Sequence, residues 1–206
     1  MSNASIEFLS VREAAEQRRS IRAYAPGPIP REELEDVLDV VRLAPSAFNV
    51  QPWRFVVVET PELKARLAAA AYNQRQVHSA PAVIVLYTDM EGALANLDAV
   101  VHPGMSAEQQ ESTKESIRRI FGGQSVEERE TWAQGQGYIA LGYLLLAAEA
   151  RGFQTSPMTG FDAAAVRELL DLPENARIPA LVAIGHGAEE GFPPHRHPLE
   201  SILRVA

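Results

Sequence analysis

Three stretches of the chain concentrate groups able to hold an anion or a flat polar ring. The first is Arg18-Arg19-Ser20-Ile21-Arg22. Guanidinium forks pair bidentately with phosphate, a serine hydroxyl adds a hydrogen bond, and alternate residues of an extended chain share one side. Basic residues closing a helix also complement its dipole, so the run alone leaves capping open as the reading. The second stretch runs Pro45-Ser46-Ala47-Phe48-Asn49-Val50-Gln51-Pro52-Trp53. Two prolines stiffen it, and Ser46, Asn49 and Gln51 set polar groups among apolar ones, where burial demands partners. The third, Gln154 to Asp162, is expected to be irregular and to lead into a helix whose free amides could donate to a ring nitrogen or oxygen. A satisfied loop and a capped turn are the plain alternatives for these two. His186, His195 and His197 crowd the C-terminus, but the Pro-Pro-His-Arg-His-Pro tail offers no cysteine or carboxylate companion, and no metal is expected.

Composition bounds what these groups can do. The 206 residues suit one domain, expected over 1–206, and 46% hydrophobic content favours a packed globule over a fibre or disordered chain. With no cysteine, neither a disulfide, a thiolate nucleophile nor a cysteine-held metal is available, so any redox chemistry needs a cofactor. A net charge of −8 repels nucleic acid and anionic lipid, and an anionic ligand must be met locally. Only Lys64 and Lys114 are lysines among 19 basic residues, and four arginines fall between Arg12 and Arg22. No stretch approaches the roughly 18 apolar residues of a membrane span and no basic-then-apolar leader is visible, so a cytoplasmic protein is expected.

The elements that must position these stretches follow from caps and periodicity. Ser10 and Glu13 form a capping-box pattern for a helix from Val11 to Arg18. Leu34, Val37, Leu38 and Val41 recur at helical spacing over Arg31–Leu43. Phe55–Val58 reads as a buried strand. Thr60-Pro61-Glu62 starts a helix toward Tyr72, and a strand follows over Ala82–Tyr87. From about 90 to 124 the chain turns polar, which predicts a mobile, largely helical excursion able to cover a ligand. Ser125 and Glu128 pattern another capping box ahead of the apolar Tyr138–Ala150, the central buried helix. Gly135, Gly137 and Gly142 each weaken helix propensity by roughly 1 kcal/mol, which predicts close packing against another helix, within the chain or across a subunit boundary. Asp162 caps a helix through Leu170, and Ala180–Ile184 reads as a strand. The sum is an α+β fold with a long central helix and extended termini.

Together, Arg-Arg-Ser-x-Arg, Pro-Ser-x-x-Asn-x-Gln-Pro-Trp, the Pro-Met-x-Gly-Phe-Asp turn and the late Arg196 before Pro198-Leu199-Glu200 resemble the FMN-dependent nitroreductase family over nearly the whole chain. The resemblance implies a nitroreductase-like fold, with a central, mainly antiparallel sheet wrapped by helices, and a homodimer with two FMN sites at its interface. One chain would hold FMN through Arg18, Arg19, Ser20 and Arg22, joined by Asn73, Gln76 and Arg196. The other would supply Pro45, Ser46, Ala47 and Asn49. By analogy Arg18 and Arg196 face the phosphate, Arg22 and Gln76 approach the pyrimidine end, and the turn Pro157, Met158, Thr159 and Gly160 brings backbone amides near the flavin N5. No side chain is assigned as catalytic, since the flavin carries the chemistry.

The implied activity is NAD(P)H-dependent reduction of nitroaromatics, quinones or similar flat electrophiles by a ping-pong mechanism. A specialised flavin reaction on the same scaffold, such as flavin fragmentation or reductive dehalogenation, and a flavin-binding module with little turnover are the alternatives. This chain departs from the pattern by carrying Thr159 where several members have glutamate, Gln76 where many have lysine, and no late lysine around Pro194. Two positive charges are thus missing near the ring, which implies a lower flavin potential unless Arg75 compensates. Phe121, and with it Trp132 or Tyr72, are candidates for an acceptor-pocket wall, with a plain core role as the commoner alternative.

Overall fold

The computed structural model describes residues 8–206; an extended N-terminus before residue 8 lies outside them. α1 (Val11–Gln17) carries the full capping box, with Ser10 accepting from the Glu13 amide and Glu13 from the Ser10 amide. α2 (Arg31–Val41) closes in a turn two residues before Leu43. A single 3₁₀ turn at Ala47–Asn49 precedes β1 (Trp53–Val58), which starts two residues earlier than expected. α3 (Pro61–Ala70) has Pro61 in its first turn, but Thr60 occupies the cap position without a side-chain hydrogen bond. Two αL residues, Tyr72 and Asn73, end it and lead to the short α4 (Arg75–Ser79). β2 (Ala82–Thr88) follows, then the excursion: α5 (Met90–Ala95), a 3₁₀ turn at Leu97–Ala99 and α6 (Ala107–Gly122). α7 (Val126–Ala150) is 25 residues long, capped by Ser125 and Glu128 as expected. β3 (Gln154–Met158), α8 (Ala163–Leu169), capped by Asp162, and β4 (Arg177–Gly185) complete the regular elements, before a last 3₁₀ turn at Leu199–Ser201.

The sheet has the order β1-β2-β4-β3 with every pair antiparallel. Side chains of adjacent residues point to opposite faces, and each face is covered. Ile84, Leu86, Val182 and Ile184 pack under α2 and α7 with Val37, Val41 and Leu144. Val83, Val85, Leu181 and Ala183 pack on the other side against Leu67 of α3, Val77 of α4 and Val166 of α8. Double coverage explains why β2 and β4 read as unbroken apolar runs rather than alternating ones. A third cluster, Val50, Met90, Leu97, Val100, Ile117, Phe121 and Ala133, ties the excursion to the front half of α7.

Two expectations change. The stretch from Gln154 is irregular only after Met158; its first five residues are β3, an edge strand whose Pro157 is compatible with that position. The α7 glycines divide. A Cβ on Gly137 would lie 2.7 Å from Pro179 Cγ and 3.0 Å from Thr88 Cγ2, so it permits contact with the sheet and not with a helix. Gly135 and Gly142 face nothing within 4 Å in this chain.

Gly137→Ala gains helix propensity but forces α7 off the sheet, and overpacking of this kind costs about 1–3 kcal/mol. A lowered urea midpoint is the expected result; an unchanged midpoint would show that α7 can retreat freely from Pro179.

Candidate functional site

The arginine stretch is positioned by its backbone. Arg18 leaves α1 in extended geometry, and the chain then runs beside β3, with a parallel bridge between Ser20 and Thr155 and the Ile21 amide donating to Thr155 O at 3.1 Å. Ile21 is fully buried, so its neighbours Ser20 and Arg22 face outward. After β4 the chain returns along the same segment: the Ala25 amide donates to His186 O and the Ala188 amide to Ala23 O. Gly191, at φ 69°, passes over Ile21 and Arg19, and the tail lays Pro193, Pro194 and Arg196 beside the arginines. The result is a cleft of about 200 Å³ lined by Arg18, Arg19, Ser20, Arg22 and Arg196 with Pro194.

Arg18 lines that cleft, and its Nη1 is buried with no hydrogen-bond partner. Burial pulls the guanidinium below its usual pKa range, repulsion from Arg196 adds to this, and Glu149 pulls the other way. A half-buried cation with an unmet N–H and like charges around it has the chemistry to receive an anion, which would relieve the repulsion. Arg19 is spent differently. Its Nη1 donates to the carbonyls of Glu16, Gln17 and Arg18 at 2.7, 2.8 and 3.0 Å, closing α1 in the way the capping reading allows. Arg12 stays on the surface, paired with Glu16.

The next group lies where α3, α4 and the end of β3 meet. Gln74 Nε2 donates to Gly160 O at 2.7 Å and to Ala71 O, and the Asp162 amide donates to Ala70 O. Gln76 is buried and donates to Gln74 Oε1 at 3.1 Å. Met158 has its side chain in the core and only its backbone toward the turn, whereas Thr159 and Gly160 are exposed. Ser79 Oγ donates to Arg22 O, which brings α4 against the arginine stretch. Arg75 does not stand free to replace a missing cation: its Nη2 lies 2.7 Å from Glu189 Oε2. Gln74 and Glu189 hold these candidate residues in place, and the motifs did not show them. Gln74 lies beside Gln76 in sequence, but Glu189 is 167 residues from the Arg22 amide it accepts, with no local signal to announce it.

The Pro45–Gln51 loop stands apart. Ser46 Oγ accepts from the Gln51 amide, the Ala47 amide donates to Gln136 Oε1 of α7, and Asn49 Nδ2 donates to Val100 O. Phe48, Asn49 and Gln51 all have positive φ, 55°, 58° and 44°, and strain at such non-glycine positions costs of order 1–3 kcal/mol each. Phe48 meets Phe121 edge-on at 6.1 Å, and Phe121 in turn packs on Trp132. Phe121 is therefore buried in the excursion's core and is no pocket wall, whereas Tyr72 is two-thirds exposed. The hydrogen bonds holding this loop run to α7 and the excursion, not to the arginine cleft, so within one chain the two halves of the expected site stay separate.

His186 stacks on Phe153, and among the described residues no group of three or more histidine, aspartate and glutamate side chains could hold a metal ion. From Tyr138 to Ala148 α7 is apolar on every side, yet Tyr138, Ile139 and Tyr143 are exposed, as are Phe192, Leu199, Ile202, Leu203 and Val205 of the tail. A helix apolar all round is normally covered on every side.

The model of the nitroreductase family matches residues 15–186. Over 200 residues the chain is 50% identical to a protein of Thermus thermophilus named NADH dehydrogenase, covering 97% of this chain and 98% of that protein. It is 30% identical over 206 residues to the oxygen-insensitive NAD(P)H nitroreductase of Salmonella typhimurium, covering 91% and 95%. A crystal structure described as a nitroreductase in complex with FMN, from Exiguobacterium sibiricum, superposes with a TM-score of 0.88 at 30% identity, covering 96% of this chain and 98% of that one.

Behind the cleft sits Glu149, nearly inaccessible, with Oε2 unpartnered. Burial raises its pKa, with Arg18 and then Arg19 opposing. A carboxyl whose pKa is higher in the folded chain favours the fold while protonated, and that contribution is lost as pH rises through the raised value. Glu149→Gln should therefore gain stability over the unsubstituted protein on going from acid to neutral pH in urea titrations. A difference that does not change with pH would show that Glu149 ionises in the fold without cost.

Proposed function

The chain belongs to the nitroreductase family, a family of oxidoreductases, and from that premise we propose that it is an FMN-dependent NAD(P)H oxidoreductase working as a homodimer. The observation that carries the FMN assignment is the cleft itself, where Arg18, half-buried and with an unpartnered Nη1, meets Arg196 and Ser20 adds a hydroxyl. That donor set fits a phosphate monoester. When bound, FMN supplies the two-electron carrier that takes hydride from NAD(P)H and delivers it to a nitroaromatic, a quinone or a similar flat electrophile in alternating half-reactions.

The chain's own residues bind and orient. Arg18 and Arg196 hold the phosphate, while Arg19 contributes field and caps α1. Arg22 and Gln76 approach the pyrimidine end, with Asn73 beside them, and the backbone from Pro157 through Met158 and Thr159 to Gly160 edges the ring. Pro45, Ser46, Ala47 and Asn49 of a second copy complete the site. The exposed Tyr138, Ile139 and Tyr143 of α7, its open Gly135 and Gly142, and the apolar residues of the tail support this pairing, because large exposed apolar side chains are what a subunit interface covers. One domain over residues 1–206 is part of this reading. The excursion over 90–124 acts on the site through Phe48, Asn49 and the strained loop they belong to. A cytoplasmic setting is also part of it; no helix among the described residues is long and apolar enough to cross a membrane.

Arg18→Ala removes one charged hydrogen-bond donor and should weaken FMN by about 10- to 100-fold, from the roughly 1.5–3 kcal/mol of such a bond. Riboflavin, which lacks the phosphate, should bind both proteins equally; an equal loss for both ligands would place Arg18 elsewhere than at the phosphate. Anaerobic mixing of the FMN-loaded protein with NADH and with NADPH should bleach the yellow colour with at least one donor. Persistence of the colour with both would overturn the oxidoreductase reading in favour of a flavin-binding module.

A further inference from the structure

Glu189 joins three points that the chain otherwise keeps apart. One carboxylate oxygen accepts from the Arg22 amide at 2.6 Å, and the other lies 2.7 Å from Arg75 Nη2. These bonds, the Arg22 amide first and the Arg75 guanidinium after it, hold the Glu189 carboxyl below the usual glutamate range, so it is ionised at neutral pH. The strap that carries it is itself fixed, since the Ala188 amide donates to Ala23 O and the Gly187 amide to Gln154 Oε1. Gln76 brings no cation to this end of the site.

We propose that Glu189 is a positioning residue that fixes Arg22 through its backbone and cancels the charge of Arg75, so that one uncompensated cation rather than two faces the pyrimidine end of the bound ring. The inference rests on the FMN site proposed above. Reduction adds negative charge to the ring at that end, so a neighbouring free cation favours the reduced form and an unpaired carboxylate disfavours it. Glu189 and Arg75 therefore act in opposite directions on the midpoint potential, and their pairing holds it at the lower, balanced value.

The test uses the FMN-loaded protein, Glu189→Gln, Arg75→Gln and the double variant, with the midpoint potential measured by dye equilibration and FMN affinity by flavin fluorescence. The first of these substitutions keeps a side-chain amide oxygen for the Arg22 N–H but frees Arg75. Glu189→Gln should raise the potential, the affinity for reduced relative to oxidised FMN rising about three- to tenfold, as for one solvent-screened charge. Arg75→Gln should lower it by a similar factor, and the double variant should return near the starting value. Equal weakening of FMN in both single variants with no change in potential would make the pair a structural tie and overturn the proposal. If Glu189→Gln loses FMN altogether, Arg75→Gln decides alone: a raised or unmoved potential refutes the assignment. Failure of the unsubstituted protein to bind FMN would instead bring down the cofactor reading, and this inference with it.

Discussion

Everything at the candidate site hangs on the way residues 20–25 are stitched between two other stretches of backbone. On one side Ile21 bonds to Thr155 of β3, and on the other Ala23 and Ala25 exchange hydrogen bonds with Ala188 and His186 after β4. Burying Ile21 makes this stitch favourable, because its side chain is wholly removed from water while the flanking polar residues turn outward. The same stitch carries the C-terminal strap over Arg19 and brings Arg196 to within electrostatic reach of Arg18, a pair that like-charge repulsion would otherwise keep apart.

A second constraint works at the other end of α7. The loop from Pro45 to Gln51 holds three non-glycine residues in the left-handed region, and the excursion keeps it there through Asn49 to Val100 O and Phe48 against Phe121. Such strain persists only where surrounding contacts over-determine the backbone. Arg129 supports the arrangement by pairing with Glu91 and capping the end of α6 at Phe121 O and Gln124 O. The excursion thus braces the loop, while its own aromatic side chains fill its own small core.

Local chemistry was the legible part. Capping boxes at Ser10 and Ser125 and the Asp162 cap are written within four residues, and each occurs where the pattern puts it. A third box, Ser106 with Gln109, was equally readable and lay in the excursion. The runs Val83–Leu86 and Leu181–Ile184 announced buried strands by composition alone. β3 was harder, since Gln-Thr-Ser-Pro-Met has little strand propensity and is extended because β4 and the Ser20 segment flank it. Gly137 looked the same as Gly135 and Gly142 until Pro179 was found against it.

By itself the sequence determined the family, the sheet's apolar strands, the helix starts and the candidate anion-binding arginines, all of which are properties of residues near one another in the chain. Tertiary structure decided which of those arginines remain available. It committed Arg19 to helix carbonyls and Arg75 to Glu189, left Arg18 buried with an unmet donor, and separated the Pro45–Gln51 loop from the cleft. The reason is physical: a charged side chain's role depends on the partners within a few ångströms, and for Arg75 that partner arrives from more than a hundred residues away.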